Sequence, residues 1–263
     1  VTLDFGNTLV PVTGAGLGAV VDDTVAAMAQ RLGPFDPTAV RRAWDEERRR
    51  QFREDVPQFR EVDMAQRITR VLARLRGMPP PPAEERWDDA VAALLSDPDE
   101  VLWAVEVYSE AFVRAMPADP AALSVVMALA ARYRVAILSN WPLAATIDRY
   151  AEAAGWTPHL TAIVVSQRVG TIKPHPAIFA AALAALGNPA PARVIHVGDD
   201  WAADVAGAKG AGWRAAWLAS RPADSPLPDS TPDDSVEPDL VVRTIGELPA
   251  AITALDEADR GSG

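Results

Sequence analysis

Hydrophobic positions along this 263-residue chain follow two rhythms. Between residues 18 and 115, apolar side chains recur every three or four positions, the spacing that lines one face of a helix. The stretch VVDDTVAAMAQRL places Val21, Val25, Met28, Ala29 and Leu32 on such a face, with acids expected in its first turn. DPTAVRRAWDEERRRQFRE opens on Asp36 as a cap and Pro37 as the first helical residue, a pairing that suits a helix start. MAQRITRVLARL, PPPPAEERWDDAVAALL and DPDEVLWAVEVYSEAFVRAM predict further helices, the last capped by Asp97. No strand is predicted in this block.

From residue 119 the rhythm changes to short, continuous apolar runs that alternate with helical segments. RVAILSN, TAIVVSQ, RVIHVGDD, WRAAWL and PDLVVRTI read as strands, with helices between and after them. Buried strands alternating with helices predict a parallel sheet covered on both faces. The chain also opens on a strand, VTLDF, which is too short to fold alone and must join that sheet. The expectation is an α/β Rossmann-like core built from 1–12 and 119–256, interrupted by a helical cap at 13–118. Residues 220–238, rich in Pro, Asp and Ser, read as a mobile loop, and 257–263 as a disordered tail.

Composition narrows the function. With no cysteine, thiolate catalysis, disulfides and Cys-based metal sites are excluded. A net charge of −11 opposes binding to a phosphate backbone. The one arginine-rich run, ERRRQFRE at 47–54, alternates with acids and reads as a solvated helix face. No membrane-length apolar run and no secretory leader pattern are seen, so a cytoplasmic protein acting on a small molecule, as a monomer or homodimer, is expected.

Ligands of open parallel sheets bind at the carboxyl ends of the strands. Those ends carry Asp4, then Ser139 and Asn140, then Asp199 and Asp200 with Asp204 one helical turn on. The loop after TAIVVSQ carries Lys173, one of only two lysines. Each residue alone reads equally well as a cap or turn residue. Together they place several carboxylates, a hydroxyl, an amide and a lysine on one edge. Clustered carboxylates suit Mg²⁺, which prefers oxygen ligands and pairs a few carboxylates with a phosphate. A lysine binds a phosphoryl oxygen as a point cation, and a spare carboxylate can attack phosphorus.

LDFGNTL, LSN, KPHPAIF and GDDWAADVAGAKGAG, in this order with helices inserted between the first two, resemble the motifs of the haloacid dehalogenase-like hydrolases with a helical cap. The resemblance implies that Asp4 is the nucleophile and that Thr8 supports the loop after it and helps bind phosphate. It implies that Ser139 and Asn140 bind the phosphoryl group and that Lys173 steadies nucleophile and phosphate. Mg²⁺ is implied at Asp4, Asp199 and the carbonyl of Gly6, with Asp200 and Asp204 in support.

Gly6 departs from the pattern. Phosphatases of the family carry an aspartate there that protonates the leaving group, and glycine keeps only the carbonyl. The reading is a Mg²⁺-dependent phosphatase without that acid. A 2-haloacid dehalogenase-type, carbon-centred hydrolase and a weakly active or binding-only member stand as alternatives. Retention of GDD argues against dehalogenation, and a cap without lysine excludes a Schiff-base phosphonate hydrolase. Among remaining polar and aromatic residues, His175 is expected near the site and His196 in the core. Trp141 and Trp201 are candidates for the pocket mouth, and Arg41, Arg42, Arg48 and Arg53 for surface pairing or an anionic substrate tail.

Overall fold

A computed structural model describes residues 1–261, the side chains of 259–261 excepted. Six parallel strands form one sheet: β1 (Thr2–Leu3), β2 (Ala136–Ser139), β3 (Ala162–Val165), β4 (Ile195–Gly198), β5 (Arg214–Leu218) and β6 (Leu240–Val242). They lie in the order β3-β2-β1-β4-β5-β6. The N-terminal strand therefore sits in the middle, paired with β2 through Leu3–Ile137 and with β4 through Leu3–Val197. The chain builds outward to one edge and then returns to build the other. The point of reversal is β1, where a parallel sheet opens a crevice beyond its carboxyl ends.

Alternation along the strands explains the two covered faces. Ile137, Val197 and Leu218 point into one apolar cluster; Ala136, Leu138 and Ala215 point into the other. Successive side chains of a strand face opposite ways, so the central strands are committed to a core on both sides. The first face is covered by α6 (Ala122–Ala130), α7 (Ala144–Ala153) and α11 (Leu248–Gly261). The second is covered by α9 (Pro176–Ala185), a wide π turn at Trp201–Ala206 and α10 (Gly207–Gly210). One short helix, α8 (Ser166–Val169), directly follows β3.

Between β1 and α6 the chain forms α1 (Gly14–Arg31), α2 (Pro37–Asp55), α3 (Met64–Leu75), α4 (Asp89–Ala93) and α5 (Pro98–Ala115), joined by loops. Asp97 and Glu100 close a reciprocal capping box at the start of α5, and Asp36 caps α2. These helices share the first apolar cluster with the sheet: Met28, Trp44, Ile68 and Phe112 belong to it along with Leu3 and Phe5.

Four expectations need correction. The first helix begins at Gly14, capped by Thr13, so Asp22 and Asp23 fall in its middle. The 79–95 segment is mostly loop, and only Asp89–Ala93 is helical. The 47–54 face is partly internal: Glu47 is buried, taking hydrogen bonds from Arg74 and the Trp87 indole, and Arg50 turns inward onto the carbonyls of Pro81, Pro82 and Glu85. The tail expected to be disordered from 257 continues α11 as far as Gly261; residues 262 and 263 lie outside the described residues. No helix among the described residues is long and apolar enough to cross a membrane.

Candidate active site

Asp4 leaves β1 with its N–H still bonded to the Val197 carbonyl at 2.8 Å, so the sheet itself aims the residue. The loop that follows is pinned by Phe5, whose carbonyl accepts from Leu9 and Val10. Phe5, Leu9 and Val10 are fully buried. Asn7 takes a left-handed backbone (φ 58°), which asparagine tolerates better than most residues. Its side chain turns to the site, donating to Asp199 Oδ2 at 3.2 Å and to the Ser225 hydroxyl at 3.0 Å.

Lys173 holds the centre. Its buried ammonium donates to Asp4 Oδ1 at 2.7 Å, Asp204 Oδ1 at 2.6 Å and the Leu138 carbonyl at 3.0 Å. Burial disfavours the charge, but Asp204 and Asp4 outweigh it and hold the ammonium above its ordinary pKa. Asn140 fixes the lysine's backbone, accepting from its N–H at 2.7 Å and donating to its carbonyl at 3.0 Å. That amide was expected on a phosphoryl group; both of its ends are instead committed to placing Lys173.

Asp204 is saturated. Oδ1 takes Lys173 and the Nε2–H of His196 at 3.0 Å, and Oδ2 takes the Asp200 N–H at 2.9 Å. Burial raises its pKa, but Lys173 and His196 overcome that and leave it well below the ordinary carboxylate range. His196 Nδ1 faces the Thr2 hydroxyl at 2.9 Å. Burial and the nearby Lys173 lower the imidazole's pKa, and the Asp204 carboxylate, which only accepts, calls for a proton on Nε2. Gly198 makes room for this arrangement: a Cβ there would stand 2.1 Å from the Asp204 carboxyl.

Asp199 is a carboxylate whose ionisation the site opposes. Burial first, then the charges of Asp204 and Asp4, push its pKa up to about 8, partly offset by Arg221 and Asn7. Arg221 Nη1 lies 3.0 Å from its Oδ2. Asp200 is turned to local work, capping the π turn through Ala203 N–H at 2.7 Å and accepting from Ser230 at 2.9 Å.

One small cavity of about 80 Å³ gathers most of the predicted residues: Asp4, Gly6, Ser139, Asn140, Lys173, Asp199, Asp200 and Asp204 all line it. Thr8 is not among its lining residues; its hydroxyl is buried without a hydrogen-bond partner. Oxygens of Asp4, Asp199 and Asp204 lie within 4.8 Å of one another. This all-carboxylate set has the chemistry of a hard divalent cation site. Asp204 is already saturated, which leaves Asp4 and Asp199 as the carboxylates free to serve it.

The rest of the lining was not read from the sequence. Arg221, Leu227 and Pro228 come from the loop between β5 and β6. That loop is a strap tied down at both walls, through Ser225 to Asn7 and through the Asp224 carbonyl to Gly14 N–H at 3.1 Å. The strand-end rule, applied to β5 as to its neighbours, reaches Arg221 three residues past Leu218; Leu227 carries no such signal. His196 is a core residue as expected and is also the imidazole beside Lys173. His175 caps α9 through Ala177 N–H and stacks near Phe59. Trp141 lines the cavity, whereas Trp201 packs edge-on against Trp217 away from it. Arg41 pairs with Asp22 and Asp45, and Arg48 reaches the Pro226 carbonyl at 3.4 Å.

The segment between α2 and α3 also touches the end of β3 beside the lysine loop. Glu61 accepts from the Ser166 hydroxyl, which itself accepts from the Trp141 N–H at 2.8 Å. Burial raises the Glu61 carboxyl to about 7.

Comparison with known proteins gives a consistent picture. Residues 1–212 match the family model for haloacid dehalogenase-like hydrolases. The pyrimidine 5'-nucleotidase YjjG of Escherichia coli is 31% identical over 144 residues, 53% of this chain and 60% of that protein. A phosphoserine phosphatase of Thermus thermophilus is 42% identical over 82 residues, 30% of this chain and 31% of that protein. The chain thus matches less than two thirds of either relative's length. Among solved structures, a 2-haloacid dehalogenase from Pseudomonas syringae pv. Tomato shares the fold at TM-score 0.64 and 23% identity, covering 97% of both chains. The magnesium-bound YfnB of Bacillus subtilis does so at TM-score 0.56 and 16% identity, covering 94% of this chain and 95% of its own.

Proposed function

The chain belongs to the haloacid dehalogenase-like hydrolases, and from that membership and the charges around Asp4 we propose that it is a Mg²⁺-dependent phosphatase of small phosphorylated metabolites. The observation that carries this reading is Lys173, shared between Asp4 at 2.7 Å and Asp204 at 2.6 Å, with Asp199 in the same carboxylate cluster. The two relatives named as a nucleotidase and a phosphoserine phosphatase support phosphate esters as the substrate class.

Asp4 attacks phosphorus through a carboxylate oxygen, and the bond to the leaving oxygen breaks, giving an aspartyl-phosphate. Burial raises the Asp4 pKa and Lys173 opposes that rise; the lysine also aligns Asp4 and binds the charge that builds on the phosphoryl oxygens. Asp204 holds the lysine, His196 holds Asp204, and Asn140 holds the lysine's backbone. Ser139, buried at the end of β2, lines the same cavity. Bound at Asp4 and Asp199, the Mg²⁺ supplies charge neutralisation and an oxygen-seeking site for the phosphate. Water then attacks the aspartyl-phosphate, releasing inorganic phosphate and restoring Asp4.

With no side chain at Gly6, the leaving oxygen takes its proton from water. General acid help is worth roughly 10²–10⁴ in rate, so good leaving groups such as acyl and aryl phosphates are favoured over alkyl esters. The test is hydrolysis of acetyl phosphate and p-nitrophenyl phosphate by the purified chain. Asp4→Asn and EDTA are each expected to abolish it; turnover that survives both overturns the reading.

One observation favours the carbon-centred alternative: Arg221 supplies Asp199 with a counter-cation from the protein itself. Halide release from a 2-haloacid in EDTA is the outcome that would select it.

A further inference from the structure

We propose that Arg221 is a built-in cation of the metal site, which a divalent ion must displace from Asp199. The inference rests on metal use in the proposed function but not on the identity of the substrate. The Asp199 side chain lies at the cavity floor, and its Oδ2 is doubly engaged, by Arg221 Nη1 at 3.0 Å and by Asn7 Nδ2 at 3.2 Å. Lys173 is committed to Asp4 and Asp204. Among the described residues, Arg221 is therefore the cation paired with Asp199.

A guanidinium and a divalent ion at one carboxylate repel each other, and close to buried charges that repulsion is weakly screened. Arg221 is placed so that it can leave. It belongs to the strap between β5 and β6, which has no helix or strand of its own. Its other anchors are the Leu227 carbonyl and the exposed Asp229. Displacing the guanidinium breaks its bond to Leu227, the residue whose side chain stands over Gly6. Metal entry and uncovering of the place where the leaving group emerges are thus mechanically linked.

The test is a Mn²⁺ titration of the whole chain, followed by electron paramagnetic resonance and isothermal calorimetry without substrate. Arg221→Gln is expected to tighten Mn²⁺ binding about tenfold or more by removing the competing charge. Arg221→Lys, which keeps the charge, is expected to stay near wild type. An unchanged or weakened affinity in Arg221→Gln overturns the proposal, because an arginine that helps to place Asp199 for the metal gives that result. Absence of Mn²⁺ binding in all three proteins also overturns it. No turnover is involved, so failure to find phosphatase activity is a separate result that leaves this comparison intact.

Discussion

Leu227 Cδ1 lies 2.7 Å from the point where a Cβ on Gly6 would stand, and the Trp141 ring lies 3.4 Å from it. The three atoms nearest to the missing side chain, on Leu227, Trp141 and Val12, are all apolar. Gly6→Asp alone must push Leu227 aside, which the end of a flexible side chain permits. Paired with Leu227→Ala, the new carboxyl has room. The double variant is expected to raise kcat/KM on alkyl phosphates toward the roughly 10²–10⁴ that general acid catalysis supplies, with little change on acetyl phosphate. The single variant should gain less. Equal changes on both substrates would show that protonation of the leaving group is not limiting.

Removing the charge of Asp204 should cost stability before it costs chemistry. Asp204→Asn keeps an acceptor oxygen but removes the buried negative charge that pairs with Lys173. Breaking a buried pair this way costs about 3–5 kcal/mol. Urea denaturation measures it, and a loss under about 1 kcal/mol, the scale of a surface pair, would contradict the central role given to this carboxylate.

Gly198→Ala attacks the same group from behind. With the new methyl 2.1 Å from the Asp204 carboxyl, either β4 or the acid must shift. Overpacking of this kind costs about 1–3 kcal/mol, and turnover should fall further because Lys173 moves with its partner. Wild-type melting temperature and rate would mean that the turn relaxes freely.

The pH response separates Asp199 from Asp204. Folding raises the Asp199 pKa from 3.8 to about 8, so its contribution to stability is complete below the unfolded value and is lost as pH rises through about 8. Asp204 runs the other way: its folded pKa is depressed, so its contribution holds at neutral pH and is lost only in strong acid. A divalent ion needs Asp199 ionised. Millimolar Mg²⁺ is therefore expected to raise the melting temperature more at about pH 9 than at about pH 6. The same rise at both would exclude Asp199 as a ligand.

The sheet was legible because its strands read as apolar runs, unbroken in VAIL and AIVV. The charged residues were legible because a parallel sheet delivers its strand ends to one edge, so Asp4, Lys173 and Asp199 could be collected by position alone. What each does with its hydrogen bonds was not legible. Asn140 turns to the backbone of Lys173, and Thr8 turns away from the cavity; those choices depend on which neighbours the fold brings within 3 Å. The strap was hardest. Its Pro, Asp and Ser content signals a loop, but not that it is tied across the site. Arg221 and Leu227 lie beyond residues 1–212, the span that the family model matches.

Two adjacent residues of the strap grip opposite walls. Ser225 accepts from Asn7 on the loop after Asp4, and the carbonyl of Pro226 accepts from Arg48 on α2. The next two residues, Leu227 and Pro228, line the cavity. The loop after Asp4 and α2 are thus fastened to one short stretch of backbone, and any force that loosens one tie is felt at the other and at the cavity wall.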